Sequence, residues 1–439
     1  MHGFSLSVAA LLFFNTMGDQ LNGGLSAPPR RSVKKAITTA DAPAEVKLPA
    51  GFSASVVAKD LGAARHIVIS KTGDVYVKLA KLKDGKGIYR LRDTDNDGVL
   101  DEQTGFGDYP GTGLFIRDGY LYASSNSSVY RYKLNEKQEV ISPDQPELLV
   151  SGLREKERDK SKSIAVDNKG NIYVNVASDN DACREKGTGK GLMPCPLLDS
   201  AGIWRFKADA LNQTFEQGTQ YATGLKNVVG LDWNNQTNSL FVMQHGRGKF
   251  DDFYPQYYTP KQSAELPAET MYELHQGDDA GWPYVYYDQF QKKKILAPEY
   301  GGDGKKTGGE KTINPLVAFP AHMGPNALLF YTGTLFPAKY RNGAFIAFHA
   351  QSQELHKGYL VGFVPFKNGK PSGPWEIFAD NFAGTDLVKP TGPVQHRPCG
   401  LAQGPDGSLY VTDDLNGTLF KISYQSQTPT RKATTSRTK

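Results

Sequence analysis

Gly73-Asp-Val-Tyr-Val77 is the first copy of a short pattern in which a turn residue precedes alternating aromatic and branched side chains. Period-two alternation bounded by turn residues is typical of a β-strand. The same pattern returns at Gly119-Tyr-Leu-Tyr-Ala123, Gly170-Asn-Ile-Tyr-Val174, Asn238-Ser-Leu-Phe-Val242, Gly343-Ala-Phe-Ile-Ala347 and Gly407-Ser-Leu-Tyr-Val411. Recurrence of one strand pattern along the whole chain indicates a repeat architecture.

Each copy lies between two further strand patterns. An apolar stretch precedes it, as in His66-Ile-Val-Ile-Ser70 and Gly230-Leu-Asp-Trp233. A second strand follows it, at Gly87–Leu91, Ser128–Tyr132, Gly202–Phe206, Met271–Leu274, Gly358–Val361 and Gly417–Lys421. Repeated units of three or four strands predict an all-β fold, a six-bladed β-propeller, rather than a row of β-sandwiches, which would need a longer chain. We interpret the wider spacing between Asn238 and Gly343 as insertions in blade loops.

The two ends of the chain differ from the repeats. The apolar run from Phe4 to Phe14 is too short to span a bilayer and has the length of a signal-peptide core. We therefore assign residues 1–43 to a signal peptide and linker, 44–425 to the propeller and 426–439 to a disordered tail rich in Ser, Thr and Lys. The expected protein is secreted or periplasmic and has no integral membrane segment.

The net charge and the cysteines indicate which partners and which redox compartment to expect. The chain has 51 Lys and Arg against 46 Asp and Glu, a net charge of +5 that is too weak to suggest nucleic acid. Cys183 and Cys195 flank a loop rich in Gly and Lys. They are either a disulfide, which an oxidising compartment favours, or two unpaired thiols. We interpret Cys399 as a small buried residue rather than a nucleophile.

One acidic loop has the composition of a Ca²⁺ site. Asp93-Thr-Asp95-Asn-Asp97-Gly98-Val-Leu-Asp101-Glu102 carries carboxylates at alternate positions and a glycine that permits a sharp turn. Hard oxygen ligands at this spacing suit Ca²⁺, and the alternative is a solvated acidic turn. We predict a structural Ca²⁺ that fixes the outer hairpin of the first blade, with ligands from Asp93, Asp95, Asp97, Val99 and Asp101.

A second site is expected at one end of the central channel. The innermost strand of each blade lines this channel, so polar residues just ahead of those strands surround one mouth. These residues are Arg65, His66, Gly111, Thr112, Asp159, Lys160, Lys226, Asn227, His322, Asn326, His396 and Arg397. Guanidinium and ammonium groups pair with carboxylates, so the ring suits a flat cofactor with several carboxylates. The alternative is a set of solvated loop residues.

The second half of the chain resembles the glucose/sorbosone dehydrogenase family, in its sorbosone-dehydrogenase-like branch. The motifs that carry the resemblance are Met243-Gln-His-Gly246, Gly277-Asp-Asp-Ala-Gly-Trp-Pro283, Ala297-Pro-Glu-Tyr-Gly-Gly-Asp303, Phe319-Pro-Ala-His322, Leu329-Phe-Tyr-Thr-Gly333, Gly343-Ala-Phe-Ile-Ala-Phe-His349 and His396-Arg-Pro-Cys-Gly-Leu401. The resemblance implies a sugar oxidoreductase that uses pyrroloquinoline quinone (PQQ) and Ca²⁺. Its substrate would be an aldose or a related hemiacetal or aldehyde, and an external acceptor such as a cytochrome or a quinone would take the electrons.

The resemblance also implies roles for single residues. Lys226 and Asn227 take the place of an Arg-Asn pair at the cofactor, and Arg397 matches an arginine that contacts it. The carbonyls around His245 and Gly246 match ligands of the cofactor's Ca²⁺. Arg247, Arg65 and His66 complete the cofactor-binding residues that we predict.

The general base is predicted to be His322, because this branch keeps a histidine facing the cofactor there. The reference pKa of histidine, about 6.5, suits that role. The glucose enzymes keep their catalytic histidine in the third blade, where this chain reads Arg158-Asp-Lys-Ser161. Asp159 is therefore the second candidate for the base.

Two other classes of protein are considered. A non-enzymatic propeller would bind carbohydrate or protein through the same mouth after losing the cofactor. A lactonase-like hydrolase with a central catalytic Ca²⁺ would need several acidic or amide side chains around the channel. The predicted ring is mostly cationic, which ranks this hydrolase last.

Overall fold

The computed structural model describes residues 46–155 and 159–425, which fold almost entirely into β-strands. The predicted signal peptide and linker, the predicted tail and Arg158 lie outside these residues. Among the described residues, no helix is long and apolar enough to cross a membrane. The helical segments described are the short helix α1 (Pro260–Ser263) and the 3-10 turns Pro196–Asp199, Phe215–Gln217, Pro298–Tyr300 and Ala338–Tyr340.

The strands form antiparallel blades in chain order, after a first strand, β1 (Phe52–Ala58), that belongs to the last blade. The first blade is β2 (Ala64–Ile69), β3 (Val75–Lys83), β4 (Lys86–Arg92) and β5 (Glu102–Phe106). The second is β6 (Leu114–Arg117), β7 (Tyr120–Ser124), β8 (Val129–Lys133) and β9 (Glu147–Ser151). The third is β10 (Ile164–Val166), β11 (Asn171–Val176), β12 (Gly202–Lys207) and β14 (Thr219–Thr223), while β13 (Gln213–Thr214) pairs with β9.

The remaining blades follow the same order. The fourth is β15 (Val228–Asn234), β16 (Ser239–Gln244), β17 (Glu269–Leu274) and β21 (Val317–Phe319). Its insertion contains β18 (Asp278–Asp279), β19 (Val285–Asp288) and β20 (Lys293–Leu296). The fifth is β22 (Pro325–Phe330), β23 (Ala344–Ser352), β24 (Lys357–Val364) and β27 (Glu376–Ala379), with a small hairpin of β25 (Phe366–Lys367) and β26 (Lys370–Pro371). The sixth is β28 (Pro398–Gln403), β29 (Leu409–Asp413), β30 (Leu419–Tyr424) and β1.

The ring closes by pairing the first strand with the last. Strand β1 is antiparallel to β30, with Phe52 opposite Tyr424 and Val56 opposite Phe420. The Phe52 ring also packs edge-on against Phe336 at 4.8 Å and Phe378 at 5.0 Å. Edge-to-face aromatic pairs add to the stabilisation from area burial. The six-bladed propeller predicted from the repeats is therefore confirmed, including each of the quoted strand patterns.

The innermost strands β2, β6, β10, β15, β22 and β28 neighbour one another around the channel. Each is the first strand of its blade, so all six run in the same direction and begin at the same face. The residues just before them surround one mouth, as the sequence predicts. Further along these strands the channel holds a cavity of about 310 Å³, lined mainly by apolar side chains.

Long loops between β11 and β12, between β16 and β17, and between β17 and β21 pack together beside this mouth. Cys183 and Cys195 form the disulfide that the sequence left open, within the first of these loops. In the third loop, β18 pairs in parallel with β14 of the third blade, and Trp282 donates its indole N–H to the Asp181 carbonyl at 2.7 Å. The wide spacing between Asn238 and Gly343 is thus an insertion, as interpreted from the sequence.

Candidate functional site

A cavity of about 430 Å³, called the mouth cavity below, opens where the innermost strands begin. A volume of this size suits a ligand of cofactor or sugar dimensions. Its lining residues come from five of the six blades and the loops that lead into them: Arg65, Ala80, Gly111, Thr112, Asn126, Asp159, Lys160, Ser161, Asn227, Val229, His245, Gly324, Asn326, His349 and Ala350.

Lys226 is held between two carboxylates beside the mouth cavity. Its Nζ lies 3.1 Å from Asp181 Oδ1 and 3.7 Å from Asp159 Oδ2, and its side chain is 9% exposed. Asp159 has a left-handed backbone with φ of 51°. Burial by itself would raise the pKa of Asp181, but the Lys226 ammonium holds that pKa below its usual value. Lys226 is therefore already paired within the protein.

Asn227 is fixed by a network of amides under the cavity. Its Oδ1 accepts a hydrogen bond from Asn175 Nδ2 at 3.1 Å, and Asn175 Nδ2 also donates to the Ser161 carbonyl at 3.1 Å. The Asn227 carbonyl in turn accepts from the His245 N–H at 3.0 Å. Ser161, Asn175 and Asn227 are buried, so the network sets where the Asn227 amide and the His245 loop lie.

Asp414 brings three basic side chains of the mouth together. Its Oδ2 lies 3.1 Å from His349 Nε2 and 3.5 Å from Arg65 NH1, and its Oδ1 lies 3.0 Å from Arg397 Nε. The carboxylate side chain is only 7% exposed. Burial alone raises the pKa of Asp414, yet the hydrogen bond from His349 and the Arg65 and Arg397 charges hold it below its usual value. Asp414 therefore stays ionised and orients all three.

The imidazoles His66 and His245 are neutral at neutral pH. Burial lowers the pKa of His66 to about 4, and burial together with the Lys226 charge lowers the pKa of His245 to about 3. Each ring donates to a backbone carbonyl through Nε2, His66 to Asn326 at 2.9 Å and His245 to Pro325 at 3.1 Å. His66 lines the deeper apolar cavity rather than the mouth. The cationic character of the mouth thus comes from arginine and lysine.

Arg247 and Gly246 follow His245 but do not line the mouth cavity. The Arg247 guanidinium is buried and lies 2.5 Å from Glu299 Oε1, which also accepts from Arg184 at 2.7 Å. Glu299 belongs to the insertion before β21, so the pair ties that insertion to the loop after β16. The structure places Arg247 in a buried ion pair within the protein, where we had expected a cofactor contact.

His322 also lies away from the mouth cavity. Its backbone is left-handed, with φ of 65°, and its Nε2 donates to the Ser263 carbonyl of α1 at 2.8 Å. Burial lowers the pKa of His322, and its charged neighbours are Lys249, Glu354 and Asp251. His322 is not among the residues that line the mouth cavity, and its role as the general base stays a prediction. Asp159, the second candidate base, does line the cavity.

His349 is the functional candidate that sequence reasoning missed. It lies on β23 and lines the mouth cavity, although histidines within strands are most often packing residues. Its partner Asp414 follows β29, 65 positions later in the chain. The only local signal was the end of the Ala-Phe-His motif, where β23 reaches the mouth. Asn326 was predicted in the ring and is confirmed as part of its lining.

Cys399 lies beneath this group and is the free cysteine among the described residues. Its sulfur contacts Arg65 NH1 at 3.6 Å and Asn326 Nδ2 at 3.5 Å. Burial raises the pKa of the thiol to about 11, so it stays protonated. The interpretation of Cys399 as a small buried residue is confirmed.

The acidic loop joins β4 and β5, at the outer hairpin of the first blade. Ligand atoms of Asp93, Asp95 and Asp101 all lie within 4.8 Å of one another. Asp97 instead accepts a hydrogen bond from the Val99 N–H at 2.7 Å. Three of the predicted ligands are therefore close together, and the ligand roles of Asp97 and Val99 stay predictions.

Fold and site together define a closed six-bladed propeller with a polar, cation-bearing cavity at one mouth of its channel. The family description "TrAA12-like" matches residues 46–425, and the chain belongs to this family. The family resemblance drawn from the sequence motifs is confirmed by this match and by the relatives below.

Named relatives of the chain include sugar dehydrogenases. A PQQ-dependent sugar dehydrogenase of Hypocrea jecorina is 22% identical over 408 residues, covering 85% of this chain and 88% of that protein. Among solved structures, the holo PQQ domain of pyranose dehydrogenase from Coprinopsis cinerea has a TM-score of 0.67 at 18% identity, covering 86% of this chain and 97% of that one. A calcium structure of a Trichoderma reesei protein of carbohydrate-active enzyme family AA12 has a TM-score of 0.69 at 19% identity, covering 90% and 100%. These structures show the same fold.

Proposed function

We propose that the protein is a PQQ-dependent oxidoreductase that oxidises an aldose or a related hemiacetal or aldehyde. The observation that carries the proposal is the pairing of His349 with Asp414 at the wall of a cavity that also presents Arg65 and Lys160. An oriented imidazole beside cationic groups is what proton removal from a sugar hydroxyl next to an anionic cofactor requires. The named relatives support the same reaction class.

The donors of the mouth suit a cofactor with several carboxylates. Arg65 Nε is buried and has no hydrogen-bond acceptor among the described residues, so the mouth has an unused donor. Arg65, Lys160, Lys226 and Arg397 would hold the carboxylates, with Asn227 and Asn326 donating amide N–H groups. When bound, PQQ supplies an ortho-quinone that accepts the two electrons of the sugar oxidation. The carbonyls around His245 and Gly246 remain the proposed ligands of its Ca²⁺.

The residues of the chain supply orientation and the base. With Nε2 of His349 bonded to Asp414 at 3.1 Å, the ring proton lies on Nε2, and Nδ1 would accept the sugar hydroxyl proton. Asp414 stabilises the imidazolium that results, as a carboxylate does behind a catalytic histidine. Asp159 is placed less well for this role, because its carboxylate is engaged by Lys226.

One observation favours the alternative, a non-enzymatic propeller that binds carbohydrate or protein. Lys226 is paired with Asp159 and Asp181, while Arg65 and Arg397 share the carboxylate of Asp414. A cofactor would have to compete with these ion pairs.

The disulfide between Cys183 and Cys195 supports the proposal that the protein works in a secreted or periplasmic compartment.

The test is a titration of the purified protein with PQQ in the presence of Ca²⁺, followed by anaerobic addition of single aldoses while the absorption spectrum is recorded. The proposal predicts saturable PQQ binding and reduction by at least one aldose. Saturable binding of a sugar without any PQQ binding would overturn it in favour of the binding propeller.

We also propose that the acidic loop binds a structural Ca²⁺ through Asp93, Asp95 and Asp101, because their carboxylates converge on an outer hairpin. A ligand at 100 times its Kd stabilises the folded state by about 2.7 kcal/mol. We expect Ca²⁺ to raise the Tm of the protein in the absence of PQQ. Replacing Asp93 and Asp95 together with Asn should remove that rise, as measured by differential scanning calorimetry with Ca²⁺ or a chelator.

The matched control for this prediction is Asp209→Asn, an exposed carboxylate of the third blade outside the acidic loop. It should leave the Ca²⁺-dependent rise in Tm intact. An equal rise in the double variant would show that Ca²⁺ acts elsewhere.

A further inference from the structure

Glu269 is a buried carboxylate at the start of β17, between two loops of the mouth. Glu269 is only 2% exposed to solvent. Oε2 accepts a hydrogen bond from the Gly246 N–H at 2.7 Å, and Oε1 accepts from the Gly324 N–H at 3.2 Å. Gly246 follows β16 of the fourth blade, and Gly324 precedes β22 of the fifth. One carboxylate therefore joins the loops of two neighbouring blades.

The bond to Gly246 orients the peptide between His245 and Gly246. In a trans peptide the N–H and the C=O point in opposite directions, so the His245 carbonyl points away from Glu269. The position of Gly246 is tight, because a Cβ there would lie 2.7 Å from the Pro267 carbonyl oxygen. A carboxylate that accepts a hydrogen bond from the Gly246 N–H also polarises this peptide. The His245 carbonyl then binds a cation, or accepts a hydrogen bond, more strongly.

The bond to Gly324 continues to the strand that carries His349. The carbonyl of the same peptide, that of Met323, accepts from the Ala350 N–H at 2.8 Å. The Gly324 carbonyl accepts from the His349 N–H at 3.0 Å. Gly324 itself has φ of 63°, a conformation that glycine adopts without strain. The carboxylate is thus two hydrogen bonds away from the backbone of His349.

Burial of a carboxylate opposes folding unless hydrogen bonds replace its hydration. Among the described residues, no cation lies within ion-pair distance of Glu269, so its compensation comes from backbone N–H groups. Burial raises the pKa of Glu269 to about 7, and the hydrogen bonds from Gly246 and Gly324 and the charge of Lys226 oppose that rise. An apolar side chain would fill this space without the cost of burying a carboxylate. The two oxygens of Glu269 differ from such a side chain in that they accept hydrogen bonds from both loops.

We propose that Glu269 is a positioning residue that sets the His245–Gly246 peptide and the backbone of His349 in register across the mouth. Its effect on cofactor affinity and turnover rests on the proposed function. Its effect on the two loops is a property of the chain alone and can be measured without cofactor.

The test is Glu269→Gln, with Glu273→Gln as the matched control. Glutamine keeps the shape but has one acceptor oxygen, so one of the two N–H groups faces an amide donor. Glu273 lies on the same strand and is nearly buried, but it binds Ser239 and Lys370 away from the mouth. Both changes therefore remove one carboxylate from β17.

Amide hydrogen exchange of the PQQ-free proteins gives the first result. In Glu269→Gln we expect exchange at residues 245–247, 323–324 and 349–350 to be about tenfold faster, the equivalent of one lost hydrogen bond. Glu273→Gln should leave these segments unchanged. Unchanged exchange in Glu269→Gln, or equal acceleration in both variants, would overturn the proposal. If Glu269→Gln does not fold, Glu269→Asp, which shortens the reach by one carbon, is measured in the same way with the same two outcomes.

PQQ binding and kinetics give the second result. The expected effect of Glu269→Gln is weaker PQQ binding and a kcat that falls more than KM rises, since His349 is displaced. Accelerated exchange together with no PQQ binding by the unsubstituted protein would overturn the proposed function but support the positioning role. Accelerated exchange with unchanged kcat and PQQ affinity would overturn the link to catalysis.

Discussion

Replacing His349 with Ala is expected to lower kcat of the PQQ-loaded protein by about 10²–10⁴-fold, the usual contribution of a general base. PQQ binding should survive, because Arg65 still lines the mouth cavity and Arg65 and Arg397 remain paired with Asp414. The measurement is steady-state oxidation of an aldose with a soluble dye acceptor, alongside a PQQ titration. A large loss of kcat with PQQ still bound would assign the proton transfer to His349.

The matched control is His322→Ala, because both histidines belong to the fifth blade and its leading loop. His322 donates to the Ser263 carbonyl and does not line the mouth cavity, so its loss should leave kcat within a factor of a few. The opposite pattern, with activity lost in His322→Ala and kept in His349→Ala, would return the base to the residue predicted from the family resemblance.

Replacing Glu299 with Gln is expected to lower the free energy of unfolding by about 3–5 kcal/mol, as when one partner of a buried ion pair is removed. The Glu299 side chain is fully buried and is shared by Arg247 and Arg184. Glutamine would leave the buried Arg247 guanidinium without the carboxylate that it contacts. Urea unfolding followed by tryptophan fluorescence measures the change.

Glu376→Gln is the control for this change, because Glu376 pairs with Lys339 on the surface, where the two side chains are 38% and 56% exposed. Exposed ion pairs contribute about 0–1 kcal/mol, so this variant should unfold almost like the parent. Equal losses of unfolding free energy in the two variants would mean that the buried Arg247–Glu299 pair contributes no more to stability than the exposed Lys339–Glu376 pair. A loss of PQQ affinity in Glu299→Gln without a loss of stability would return Arg247 to the cofactor site.

The repeats could be predicted because strand signals are local. Alternation in stretches such as Gly73–Val77 and Gly407–Val411 follows from the period of a strand, whatever lies around it. The polar residues around the mouth of the channel could be predicted by the same reasoning, since a residue just ahead of an innermost strand must lie near the end of the channel. Arg65, Asn227 and Asn326 are found there or at its wall.

The direction of single side chains could not be predicted in the same way. His322 and His349 both come from motifs of the family resemblance, but of the two His349 lines the mouth cavity, while the His322 ring is bonded to the Ser263 carbonyl. That bond depends on how the loop that contains α1 packs. Arg247 was likewise expected at the cofactor, but Glu299, 52 positions later, holds it.

The sequence by itself determined the all-β class, the six blades, the insertion before Gly343 and the acidic loop at Asp93–Glu102, because each of these features follows from short-range sequence patterns. Tertiary structure alone decided which charges meet. Asp414 gathers Arg65, His349 and Arg397 from three blades, and Glu269 joins the loops of Gly246 and Gly324. The physical reason is that ion pairs and hydrogen bonds act over a few ångströms in space, and closing the ring brings together residues as far apart in the chain as Arg65 and Asp414.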